Sequence, residues 1–123
     1  MVIAVDFDGC LTTENCFPSI APLRPYAAEA IHNLQAAGHR CILWTCREGI
    51  YLDEARAFLN QNGIEMDGYN FSSYQLQSRK IVADIYIDDK NVFMVDDVDW
   101  HKIEDYINSL CKGTIKTTTI KEY

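Results

Sequence analysis

Two carboxylates one residue apart, Asp6-Phe7-Asp8, followed by Gly9, close a run of four apolar residues, Val2 to Val5. Such a run matches a short buried strand. A strand that releases two carboxylates and a glycine at its end holds negative oxygens rigidly at a sheet edge, where they can meet a cation. Asp and Gly are also ordinary turn residues, so the stretch alone describes an acidic turn equally well. Two further strand-like runs also end in polar clusters. Cys41–Trp44 runs into Thr45-Cys46-Arg47, and Ile81–Ile87, interrupted by Asp84, runs into Asp88-Asp89. Polar clusters at three strand ends point to one shared site.

The elements that must position these groups alternate. Pro25 suits the first turn of a helix that carries Tyr26, Ala27, Ala30, Ile31, Leu34 and Ala37 at helical spacing and stops at Gly38. A second amphipathic helix carries Tyr51, Leu52, Ala55, Phe58 and Leu59 and closes at Asn62-Gly63. Tyr69-Asn70-Phe71 reads as a short strand, and Ser72 or Ser73 as the cap of a helical turn leading to Arg79-Lys80. Val92–Val95 gives a last strand. Asp99 caps a final helix with Trp100, Ile103, Tyr106, Ile107 and Leu110 along its apolar side. Strands alternating with amphipathic helices imply a parallel sheet covered on both faces. In such sheets ligands bind beyond the carboxyl ends of the strands, where the strand order reverses.

All three prolines fall within Pro18–Pro25, so Leu11–Arg24 is a shaped loop that leaves directly from the carboxylates and is placed to cover them. His32 and His39 are expected to face solvent or to pack rather than to ligate. Asp96-Asp97 is expected to be a solvated turn before the Asp99 cap. Asp84, inside an apolar run, must face the site, solvent or a partner, and support of a neighbouring loop or lysine is expected of it. Residues 112–123, rich in Lys and Thr, are expected to form a frayed tail or an edge strand after a single domain over residues 1–111.

At 123 residues, 48% hydrophobic and 24% charged, the chain has the composition of one soluble globular domain with a real core. Its longest apolar runs fall far short of the ~20 residues that span a bilayer, so no membrane partner is expected. No targeting segment is expected either, the chain opening inside its first strand. The formal net charge of −7 argues against tight nucleic-acid binding, which needs a basic face. Five cysteines without C-x-x-C spacing suit reduced thiols in a cytoplasm better than a disulfide framework or a zinc site.

DFDGCLT after a hydrophobic strand, LWTCR ending a second and IVADIYIDDK later resemble, in that order, the haloacid dehalogenase-like (HAD) hydrolase superfamily, from Met1 to roughly Val95. The resemblance implies a three-layer Rossmann-like α/β fold, a bound magnesium ion and phosphoryl transfer through an aspartyl-phosphate. It makes Asp6 the nucleophile, with Asp6, the Asp8 backbone carbonyl and Asp88 around the metal, and Asp89 as a ligand through water or a support. A carboxylate is a suitable nucleophile because an acyl-phosphate divides one hard displacement into two easier ones. Its attack on an anionic phosphate meets a repulsion of ~4 kcal/mol at about 4 Å and an effective dielectric near 20, which a cation must offset.

Asp8 would protonate the leaving oxygen and later take a proton from water. An Asp at that position looks like a phosphatase rather than a dehalogenase or transport ATPase. Thr45 would donate its hydroxyl to a phosphate oxygen. Backbone N–H groups near Phe7, Gly9 and Cys46 would cradle the others. Lys80 is the expected phosphate-steadying cation, with Arg79 and Lys90 as competitors, and Arg47 is placed to reach a substrate anion. Cys10 stands where the superfamily usually has Thr or Val, and no nucleophilic role is expected of its thiol beside an acidic turn.

The loops have no spare length for a cap domain, so the site is expected to be open or closed by a second copy of the chain. The function expected is a magnesium-dependent phosphohydrolase acting on a phosphorylated substrate of unknown identity. The alternative is a receiver-like or catalytically idle phosphate-binding domain. Receiver domains place their acidic pair after the first strand and the phospho-acceptor after a middle strand, and here the middle strand ends in Thr45.

Overall fold

A computed structural model of the protein describes residues 1–71, 83–90 and 98–121. The expected strand Val92–Val95, the turn following Ser72 or Ser73, Arg79, Lys80 and Asp96-Asp97 lie outside the described residues. Those described form β1 (Val2–Val5), α1 (Ala27–Ala36), β2 (Arg40–Leu43), α2 (Gly49–Gln61), β3 (Gly68–Tyr69), β4 (Ile85–Ile87) and α3 (Trp100–Lys121). The strands make one parallel sheet in the order β3-β2-β1-β4. The fold is α/β.

Strand alternation sorts the sheet into two faces. Ile3 and Val5 of β1 stand in register with Cys41 and Leu43 of β2, and Val5 also with Ile87 of β4. These residues join one buried cluster with Ala27, Ala30, Ile31 and Leu34 of α1, Ala55 and Leu59 of α2, and Trp100, Ile103 and Ile107 of α3. Most of each amphipathic stripe read from the sequence therefore faces the core, but Ala37, just past α1, and Tyr51 of α2, both expected on it, are exposed. Tyr106, expected on the apolar side of α3, is instead exposed. The residues between them in register, Ala4, Ile42 and Tyr86, take the opposite face.

Helix α1 begins two residues after Pro25, because Tyr26 adopts a left-handed conformation with φ 67° ahead of Ala27. Its ring stacks on His101 of α3 at a centroid distance of 3.7 Å, offsetting part of the cost of about 1–2 kcal/mol for that backbone. Asp99 caps α3 as expected, its Oδ1 accepting from the N–H groups of His101 and Lys102 at 3.0 and 3.3 Å. The expected frayed or edge-strand tail is not found: α3 runs unbroken past Cys111 to Lys121. No proline interrupts residues 112–121, and a helix already docked by its first turns propagates at the cost of one residue's order per added bond. Among the described residues no helix is long and apolar enough to cross a membrane.

Candidate functional site

The strand order reverses at β1, between β2 and β4, and the polar residues gather just beyond its carboxyl end. The Asp6 N–H donates to Ile87 O of β4 at 2.9 Å, and the Trp44 N–H, just past β2, to Val5 O at 2.8 Å. These bonds carry the sheet register one step past the strands. Asp6 thereby stands between Trp44 and Asp88 in one row. Carboxylate oxygens of Asp6, Asp88 and Asp89 all lie within 4.8 Å of one another.

Three carboxylates so close cannot all ionise cheaply. Burial pushes the Asp6 carboxyl up to about 7; the Phe7 N–H, which donates to Asp6 Oδ1 at 2.8 Å, opposes this, and Asp88 and Asp89 add to it. Burial acts in the same sense on Asp89, but its hydrogen bonds with Lys90, Asp88 and Asp6 outweigh it and hold that carboxyl below its usual range. Asp6, raised while the neighbouring Asp89 is lowered, is the carboxyl of the two that keeps a proton to the higher pH. A cluster of hard oxygens short of positive charge suits a divalent cation such as magnesium. Lys90 supplies one nearby charge, its Nζ 3.2 Å from Asp89 Oδ2, and its N–H donates to Asp88 Oδ1 at 2.8 Å.

Gly9 is required at its position for two reasons. Its φ of 79° disfavours any residue with a side chain, and a Cβ there would stand 2.6 Å from Asp89 Oδ2. The Asp89 carboxylate is packed directly on the glycine. The expectation that the Gly9 N–H cradles phosphate is not met, since it donates to Thr12 Oγ1 at 3.0 Å in a buried bond. The turn is clamped from behind by Arg24, whose Nη2 and Nε donate to Gly9 O at 2.7 and 3.3 Å. Trp100 Nε1 donates to Cys10 O at 3.1 Å, and Cys10 Sγ to Ile87 O at 3.6 Å. Burial raises the Cys10 thiol well above its usual range, which leaves it inert.

Arg47 also differs from expectation. Rather than facing a substrate anion, it is 1% exposed and grips Asp8 with two parallel bonds, Nε to Oδ2 at 2.7 Å and Nη2 to Oδ1 at 2.8 Å. Its remaining reach goes to the 11–24 loop, Nη2 to Ser19 O at 2.9 Å and Nη1 to Pro18 O at 3.3 Å. The guanidinium also lies 5.3 Å from the Phe7 ring centroid and 5.0 Å from that of Phe17. The physical reason is proximity: the turn after β2 lies beside the turn after β1, and a buried guanidinium must pair. The loop is thus tied to Asp8 through Arg47 and rooted by the Thr12–Leu23 bridge.

Thr45 follows β2 at the same sheet edge, and its Oγ1 accepts from the Arg47 N–H at 3.2 Å, leaving the hydroxyl proton to donate. Cys46 is exposed beside it. A residue missed from the sequence, Asn70, shapes this turn. It takes φ 55° just after β3; its Oδ1 accepts from the Thr45 N–H at 2.8 Å and its Nδ2 donates to Arg47 O at 3.0 Å. The signal was available, because Asn is among the few residues that tolerate the left-handed region and bond locally to backbone. Arg24 was missed as well, and nothing in its sequence position announces its bond to Gly9.

Asp84 does not support the site. It stands at the opposite end of the sheet, where its Oδ2 accepts from the Val2 N–H at 2.7 Å, capping the first strand. His39 is buried and pairs with the Met1 amine at 2.9 Å through Nδ1, a packing role as expected.

The chain is similar to a conserved protein coded by a locus of Bacteroides thetaiotaomicron. The solved structure of that protein aligns with a TM-score of 0.81 and 41% identity, over 89% of this chain and 90% of that one. No protein-family model matches the chain, and no curated protein matches it.

Proposed function

We propose that this chain, which belongs to one family with the conserved Bacteroides thetaiotaomicron protein, is a magnesium-dependent phosphohydrolase acting through an aspartyl-phosphate on Asp6. The observation that carries the reading is the Asp6, Asp88 and Asp89 cluster at the point where the parallel strand order reverses. The resemblance to HAD hydrolases and the three-layer Rossmann-like form without a cap belong to the same proposal. Five free thiols support a reducing, cytoplasmic setting.

Asp6, Asp88 and Asp89, with the Asp8 carbonyl, would hold the magnesium ion, which supplies charge neutralisation between nucleophile and phosphate. The residues' own tasks are separate. An Asp6 oxygen attacks phosphorus, forming the acyl-phosphate as the ester P–O bond breaks, and Asp8 gives the leaving oxygen its proton. Asp8 then takes a proton from the water that attacks phosphorus, which frees Asp6 and inorganic phosphate. Thr45 donates its hydroxyl to a phosphate oxygen throughout. Lys80 is proposed as the steadying cation, with Lys90 its described competitor.

A second reading, a phosphate-holding domain without turnover, has one observation in its favour. Both Asp8 oxygens accept from Arg47, an arrangement suited to holding the carboxylate still rather than to passing a proton. Hydrolysis requires Asp8 to part from Arg47 when substrate enters. Purified protein assayed on an aryl phosphate with and without magnesium separates the two: chelator-sensitive release of phosphate supports the hydrolase, and none across a broad ester panel supports the idle domain.

A further inference from the structure

We infer that the substrate is a small phosphomonoester with a flat aromatic body, seated in a slot between Trp44 and Tyr86. The phosphate's place at Asp6 rests on the phosphohydrolase reading above. The slot follows from register. On the face away from the core, one row across the sheet is Ile42–Ala4–Tyr86, and the next row towards the site is Trp44–Asp6–Asp88. Ala4 puts the smallest side chain at the centre of the first row. Two large aromatic residues flank it from the neighbouring strands, on a diagonal across β1.

Adjacent strands lie ~4.8 Å apart and the two residues are offset by two positions along them, so the backbones of Trp44 and Tyr86 are separated by roughly 12 Å, enough for a single ring system between two aromatic walls. A cavity of about 320 Å³ opens there, lined by Ala4, Trp44 and Tyr86 and ending at Asp6 and Asp88, with Lys90 at its rim. That volume stands at the low end for ligand pockets, which suits a one- or two-ring body and excludes a folded partner. The two ends differ in chemistry: acidic oxygens where a cation and phosphate would meet, carbon and π-face where the ester group would lie. Orientation is set by that difference. Ala4 is buried whereas Asp88 and Lys90 are exposed, so the aromatic body enters first and the phosphate stays at the acidic mouth.

Benzyl phosphate and propyl phosphate test this, because both release a primary alcohol and differ in the ring. With magnesium, the wild-type protein should show kcat/KM at least about tenfold higher for benzyl phosphate, because its ring can stack on the aromatic walls. Trp44→Leu should collapse that preference, and Trp44→Phe should restore part of it. A binding arm uses benzylphosphonate, which is not hydrolysed. It should quench Trp44 fluorescence saturably in the presence of magnesium, while Trp100, buried against Cys10, stays silent. Equal kcat/KM for the two esters with no quenching overturns the aromatic slot while leaving the hydrolase standing. Saturable quenching without turnover of either ester supports the slot and removes the hydrolase.

Discussion

Arg47 and Asp8 form a buried, bidentate ion pair that joins the turn after β2 to the turn after β1, with both bonds under 3 Å. The same guanidinium holds the carbonyls of Pro18 and Ser19, so one side chain ties the 11–24 loop to the turn after β1.

Breaking that pair from either side should be costly. Arg47→Met leaves the Asp8 carboxylate unpaired, and Asp8→Asn leaves an uncompensated buried guanidinium. Each is expected to lose roughly 3–5 kcal/mol in urea unfolding. The double variant should lose less than the sum of the two, and strict additivity would contradict the pair.

Gly9→Ala and Gly38→Ala offer a matched contrast. Both glycines have positive φ, 79° and 95°, but a Cβ at Gly38 meets nothing within 4 Å, whereas at Gly9 it meets Asp89. Gly38→Ala should cost ~1 kcal/mol in stability and leave activity alone. Gly9→Ala should also displace Asp89, and magnesium titrations followed by thermal shift should show weaker binding. Equal magnesium response in the two variants would contradict the packing of Asp89 on Gly9.

Asn70→Gly keeps a left-handed backbone but deletes the side-chain bonds to the Thr45 N–H and the Arg47 carbonyl. A stability loss of about 1–2 kcal/mol is expected. Turnover should fall more than that loss explains, because Thr45 would no longer be held in place. A variant with wild-type kcat would show that Asn70 shapes the turn without positioning its hydroxyl.

Asp6 gives stability a pH dependence with a definite sign. Its carboxyl is raised in the metal-free fold to about 7 from an ordinary 3.8, so the folded state holds a proton the unfolded state gives up. Stability from this group is complete below about 4 and is lost as pH rises towards 7. In the presence of chelator, Asp6→Asn should melt a few degrees above wild type at pH 8 and close to it at pH 4. Magnesium should reverse the order at pH 8 by stabilising only the wild type. A variant less stable than wild type at pH 8 in chelator would contradict the crowding of the three carboxylates.

The parts of the site legible in the sequence are those in which strand and chemistry are contiguous. Val2–Val5 into Asp6, and Ile85–Ile87 into Asp88-Asp89, announce the strands singly and the site only together, because either acidic strand end alone is equally an ordinary turn. What escaped depended on which groups meet across the chain. Nothing local distinguishes an Arg47 that faces solvent from one buried against a carboxylate 39 positions earlier. Asp84 lay in the same apolar run as Asp88, and only the strand's short extent, Ile85–Ile87, puts the two at opposite ends of the sheet. The helical continuation to Lys121 escaped for another reason: threonine-rich composition lowers helix propensity, and propagation from a docked helix overrides it.

The most direct measurement is phosphoenzyme mapping in the wild type and Asp6→Asn. Protein quenched in acid during magnesium-supported turnover of an aryl phosphate should carry a phosphoryl group on the peptide containing Asp6. Asp6→Asn should carry none and turn over nothing. Undiminished hydrolysis by Asp6→Asn, or a phosphoryl group on any other residue, would contradict Asp6 as the nucleophile.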